Sequence, residues 1–293
     1  MTTNTTLAPP APAPLSAGGR GPLRVLLVIA ATTAIAIVLA LLTAGAVGLS
    51  ALRLVTDRQT LPATMRSLTV DTADSPLAVR IISDREATEP RVDIRTVASE
   101  RGDRQILTVT NDANGTLLRV DPRTGFLPWG APGEVTVTLP PELGRQLGVT
   151  VRQNAGLLIS DADLDQLTAT TTDGAIILRG TARRMEVRGQ NGHIQSREPI
   201  TVAESFSAAL DNGSVDIRFA GTPPRRIDAA TQNGDVDISL PPPGPYLVRA
   251  HTDNGRVRVG VPETSDPGRA VSEVTARAEN GEVAVVTDRS MGR

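Results

Sequence analysis

Asp211-Asn212-Gly213-Ser214-Val215-Asp216-Ile217 is followed, 21 residues on, by Gln232-Asn233-Gly234-Asp235-Val236-Asp237-Ile238. Both stretches turn at Asn-Gly and then alternate polar with apolar. Asn and Gly tolerate positive φ, so this pair marks a tight corner. Strict alternation marks a strand with one face inward. The template recurs around seven glycines, Gly156, Gly174, Gly192, Gly213, Gly234, Gly255 and Gly281, spaced by 18, 18, 21, 21, 21 and 26 residues.

Three columns of this template are apolar in every copy. Two residues after the glycine stand Leu158, Ile176, Ile194, Val215, Val236, Val257 and Val283. Seven before it stand Val149, Leu167, Met185, Phe206, Ile227, Val248 and Val274; five before it, Val or Ala. The residue just before the glycine is Asn191, Asn212, Asn233, Asn254 or Asn280 in five copies and Asp173 in a sixth; Ala155 departs. Each copy therefore reads as two short strands joined by a corner.

Asn-Gly between alternating strands also signals a hairpin, so a meander is the competing architecture. Apolar positions that recur in phase favour stacked coils, each laid on the next. The expectation is an all-β protein with a β-solenoid of about seven coils over 149–288, two short strands per coil. At about 4.8 Å per coil this makes a rod of about 30 Å. The Asn column would form an amide ladder along it.

Working outward, residues 67–148 alternate as strands but fall out of phase. Ser67–Asp71, Leu77–Ile82, Arg91–Thr96 and Glu134–Leu139 read as strands, and Asn114-Gly115 joins Gln105–Thr110 to Thr116–Val120 as a true hairpin. This region is expected to be a β-rich N-terminal cap. Residues 261–271, with Pro262, Asp266, Pro267 and Gly268, read as a loop extruded from the last coil.

Towards the N-terminus, Val25 to Leu52 is an uncharged, mostly apolar run of 28 residues, between Arg24 and Arg53. A membrane helix needs about 20 residues and a signal-peptide core only about 7–15, so residues 23–52 are expected to be an uncleaved transmembrane helix in the lipid bilayer. Residues 1–22, rich in Pro, Ala and Thr, read as a disordered tail, 53–66 as a juxtamembrane linker and 289–293 as a tail. Arginines flank both ends of the helix, so charge alone does not orient it.

Composition removes whole classes of function. The 293 residues contain no cysteine and no lysine. Disulfides, thiolate metal sites, Cys nucleophiles and a lipoprotein anchor are excluded; so is a phosphate loop, which needs lysine. Residues 1–66 carry a balance of +4 and the remainder about −6. An acidic domain without clustered basic residues is not a nucleic-acid binder. Aromatics make up only 2% of the chain, so Val, Ile, Leu and Ala must build the core.

The stretch Glu134 to Thr287 resembles the bacterial family of "putative adhesin" domains of unknown function. Val135–Pro141 (Val-Thr-Val-Thr-Leu-Pro-Pro) and the serial copies Asn212–Ile217 and Asn233–Ile238 carry the likeness. The resemblance implies a right-handed β-solenoid behind a membrane helix, on the envelope side. That places the N-terminus in the cytoplasm and the domain outside. It brings no catalytic or binding residues.

Candidate chemistry is sparse, and no cofactor or metal is expected. His193 and His251 lie coils apart and share no motif. Asp161, Asp163 and Asp165 alternate, but a calcium loop would need glycine and glutamate where Gln166 and Thr172 stand. Asp216 and Asp237 share a phase that continues as Arg258, which reads as a solvated Asp/Arg ladder. Phe126 and Trp129, in Gly125–Gly130, are either a contact patch or a plug over the end of the coils. The sequence reads as an adhesin-like, non-enzymatic protein that binds an envelope component or another protein, or acts as a spacer. Its rivals are a bactofilin-like polymerising scaffold on the cytoplasmic face and, last, a polysaccharide-active β-helical enzyme.

Overall fold

The Asn-Gly corners of the repeated template do not turn the chain back on itself. The computed structural model describes residues 52–73, 75–99, 107–112, 115–120 and 133–288. The chain there is nearly all β: fifteen strands and one short helix. The expected transmembrane helix, except its last residue, lies outside these residues, as do the tails 1–22 and 289–293. Among the described residues no helix is long and apolar enough to cross a membrane.

The strands are β1 (Leu52–Thr60), β2 (Ser67–Asp71), β3 (Leu77–Ser83), β4 (Arg91–Ser99), β5 (Leu107–Asp112), β6 (Gly115–Val120) and β7 (Gly133–Leu139). Helix α1 (Pro141–Gly144) follows, with a proline in its first turn. Then come β8 (Gly148–Ser196), β9 (Thr201–Arg218), β10 (Arg226–Asn233), β11 (Val236–Leu240), β12 (Tyr246–Asn254), β13 (Val257–Gly260), β14 (Ser272–Asn280) and β15 (Val283–Thr287).

Copies of the template stack in parallel, in the phase the glycines set. Ile227 sits beside Phe206 on one side and Val274 on the other, and Val236 lies between Val215 and Val283. Parallel pairing excludes the meander, whose neighbours would be antiparallel. Strands before the corner form one ladder and strands after it a second. β8 and β9 bend through their corners without a break and belong to both.

Two expectations about order need correction. The last copy does not stack on the sixth from outside. β14 pairs with both β10 and β12, and β15 with both β11 and β13, so residues 272–287 lie between the fifth and sixth copies. The 261–271 loop supplies the slack for this return, since the seventh glycine comes 26 residues after the sixth instead of 21.

The region 67–148 is also more than a cap. β2 and β3 lie in parallel register on the first turn of β8, and β6 and β7 lie in parallel on β2 and β3. These are two further turns, again out of chain order. β5 on β6 and β4 on β7 are antiparallel, with β1 beyond β4. β1 occupies most of the stretch expected as a linker.

The core is the set of inward columns. Leu158, Ile176, Ile194, Val215, Val236 and Val283 are 0–1% exposed. Each buried aliphatic of this kind contributes about 1.5–3 kcal/mol. Phe206 and Phe219, both buried, meet edge to face with centroids 5.3 Å apart. Tyr246 is buried at the start of β12, and its hydroxyl donates to the carbonyl of Pro241.

The invariant glycine has a second cause beside its φ. A Cβ on Gly174, Gly192, Gly213, Gly234 or Gly281 would overlap the carbonyl oxygen of the glycine on the turn beneath. Adjacent backbones therefore approach along this column more closely than any side chain permits.

Candidate binding face

Outward residues of the two ladders form the protein's polar face, and its best-ordered feature is the corner column. Asn191 Nδ2 donates to Asp173 Oδ1 at 2.8 Å, Asn212 to Asn191 at 2.9 Å and Asn233 to Asn212 at 2.9 Å. The series continues from Asn280 to Asn233 at 2.9 Å and from Asn254 to Asn280 at 3.0 Å. Five amides thus run head to tail onto one carboxylate. Gly192, Gly213, Gly234, Gly255 and Gly281 stand beside them as the close-approach column. These residues hold the stack and leave their polar edges to solvent.

The aspartates 161, 163 and 165 are partnered by the turn above, 18 residues on. Arg179 lies 3.7 Å from Asp161, Thr181 donates to Asp163 at 2.7 Å, and Arg183 grips both oxygens of Asp165 at 2.7 and 2.8 Å. Arg183 also reaches Glu204 at 2.9 Å, and Arg184 reaches the same oxygen at 2.7 Å. Hydrogen bonds from Arg183 hold the Asp165 carboxyl below its usual range, and those from Arg184 and Arg183 do the same for Glu204. The period of 18 was visible in the sequence and could have found these pairs.

The expected Asp216–Asp237–Arg258 ladder is not formed. Asp216 is in register with Asp237, but the next residue across is Ala284, and only then Arg258. The inserted last copy separates the arginine from the acids. Burial pushes the Asp237 carboxyl up, and Asp216, Asp235 and Glu282 push it the same way against a weaker pull from Arg258.

Beside this pair, the outward column two residues further on runs Arg218, Ser239, Val286, Gly260. Arg218 and Arg258 bound an open trough of about 490 Å³, with Ser239, Val286 and Gly260 along it.

The two histidines stay apart. His193 Nδ1 lies 2.8 Å from Ser214 Oγ, and His251 Nε2 lies 2.9 Å from Asp253 Oδ1. Ser214 has Asp235 on the turn above it, so the order along the column is His, Ser, Asp. A nucleophilic triad needs the imidazole between the other two. Among the described residues no group of three His, Asp or Glu is placed to hold a metal. Phe126 and Trp129 lie outside the described residues.

No family model matches the chain, and no curated protein matches it. Solved structures do. A "putative adhesin" from Parabacteroides merdae is 11% identical, with a TM-score of 0.47, over 80% of this chain and 96% of that one. A "putative lipid binding protein" from Parabacteroides distasonis is 11% identical, TM-score 0.44, over 80% and 97%. A "putative cell adhesion protein" from Clostridium sporogenes is 11% identical, TM-score 0.36, over 80% and 100%.

Proposed function

We propose that this chain is a membrane-anchored, extracytoplasmic β-solenoid with an adhesin-like, non-enzymatic role in a bacterial envelope, binding a component there or holding one at a distance. The observation that carries the reading is the in-register parallel stack with its continuous amide ladder. It presents long polar ladders to solvent and converges no reacting groups on one point among the described residues. The uncharged run Val25–Leu52 supports the anchor.

The polymerising scaffold would need two open ends. Antiparallel β4 and β5 close one of them against parallel continuation. Polysaccharide cleavage has one observation in its favour, the adjacent carboxyls of Asp216 and Asp237. They stand side by side on a flat ladder, whereas glycoside hydrolysis needs two carboxyls flanking the scissile bond.

The test is topology. With no native cysteine, a Ser265→Cys variant carries one thiol, at an exposed position in the 261–271 loop. A membrane-impermeant thiol reagent should label it in intact cells. Labelling only after lysis would overturn the extracytoplasmic reading.

A further inference from the structure

The two ends of the stack are finished differently. At one end the last parallel turn is overlaid by antiparallel β4 and β5, with β1 outside β4. At the other, β12 and β13 are the outermost strands of their ladders, and no described strand lies beyond them. Among the described residues, the chain covers only the first residue of this edge. The Tyr246 amide donates to the carbonyl of Pro262 at 2.8 Å, and its carbonyl accepts from the Thr264 amide at 2.8 Å.

No described strand covers the rest of the edge. Val248 and Ala250, in core columns, are only partly buried. Val257 is 46% exposed, whereas its six counterparts on other turns are 0–1% exposed. An exposed strand edge is a template for another strand, and proteins usually blunt it with charged side chains, proline or a bulge. Neither β12 nor β13 contains proline and both are regular against their inner neighbours; β13 carries Arg258, and the charges on β12, Arg249 and Asp253, are of opposite sign, which suits a complementary strand.

We propose that a second copy of this chain covers this end. The two β12 strands pair antiparallel about a twofold axis at His251, and the two β13 strands come together in the other ladder to cover Val257. The charge pattern of β12 favours this occupant and this register. Arg249, His251 and Asp253 share the outward side of the strand. An axis at His251 sets Arg249 against the partner's Asp253, twice by symmetry, and Ala250 against the partner's Thr252. Moving the axis to Ala250 would set Arg249 against the partner's His251 and Leu247 against the partner's Asp253.

Alternation fixes the hydrogen-bond phase as well. Tyr246 points its amide and carbonyl outward, so Val248, Ala250 and Thr252 do too, and His251 does not. Ala250 and the partner's Thr252 then exchange backbone bonds. The His251 residues form a non-hydrogen-bonded pair, whose Cα atoms lie about 4.5 Å apart. A twofold axis pairs this edge with the same edge of the second copy and so uses up both edges. The assembly stops at two.

Two measurements on the full chain in detergent micelles test this. A His251→Cys variant should form a disulfide-linked dimer under mild oxidation, because Cα separation at that pair suits the bond, while Ser265→Cys should stay monomeric. Arg249→Asp and Asp253→Arg should each weaken dimerisation by about tenfold in sedimentation equilibrium, and the double variant should restore it. The proposal is overturned if His251→Cys crosslinks no more than Ser265→Cys, if it captures only a polypeptide of another mass, or if the charge swap fails to restore the dimer.

Discussion

Gly213→Ala isolates the constraint that shapes the stack. Gly213 has φ of +128°, a conformation that alanine adopts only under strain, of about 1–3 kcal/mol. Its new Cβ would also overlap the carbonyl oxygen of Gly192 on the turn beneath. Relief requires the two turns to separate by an ångström or more. That stretches the Asn212–Asn191 amide link, now 2.9 Å, and the backbone bonds beside it, at about 1 kcal/mol each. The combined loss should be about 3–6 kcal/mol. Gly221→Ala is the control. Its φ is +66° and a Cβ there meets nothing within 4 Å, so only conformational strain of about 1–2 kcal/mol applies. Urea unfolding followed by far-ultraviolet circular dichroism would compare both with the parent. If Gly213→Ala falls within about 1 kcal/mol of Gly221→Ala, close approach does not govern the column.

Three further outcomes are expected. Asn212→Ala removes a donor and an acceptor from the middle of the amide ladder and should cost about 1–2 kcal/mol, against roughly half that for Asn254→Ala at its end; equal losses in urea midpoints would mean the ladder is not cooperative. Asp237→Asn should raise the melting temperature at neutral pH. The folded Asp237 carboxyl titrates above its unfolded value, so its ionisation opposes folding as pH rises through that window. The advantage should vanish near pH 3, where the carboxyl is protonated in both states. Arg183→Ala should act with the opposite sign, because Asp165 and Glu204 titrate below their unfolded values. The stability they add is present above about pH 4 and fades as pH falls through their folded values, and the variant should lose that acid-side dependence.

The sequence revealed the strands better than their neighbours. The Asn-Gly corners, the three apolar columns and the Asn114-Gly115 hairpin were all legible, because each is a local signal of period two or a turn residue at a fixed offset. Which turn lies on which was not. Val274 suits a place beside Ile227 as well as one beside Val248, since all three are β-branched residues of one column. Phase alone therefore cannot tell the fifth neighbour from the sixth. The same degeneracy hid the two extra turns built from β2, β3, β6 and β7. The candidate face followed suit. Asp216 beside Asp237 was predictable from adjacent copies, but Arg258 was assigned to a neighbour it does not have. The ion pairs from residues 161–165 to 179–183 were available from the 18-residue period.

The order of turns in the stack is the claim on which the rest depends, and a pair of engineered disulfides tests it directly. Asp228 is in register with Thr275, and Thr275 with Arg249 on its other side. Asp228→Cys/Thr275→Cys should close an intramolecular disulfide on mild oxidation, seen as a mobility shift reversed by reductant. Asp228→Cys/Arg249→Cys should not, because β14 stands between them. Closure of the second pair and not the first would contradict the inserted last turn and restore simple stacking in chain order.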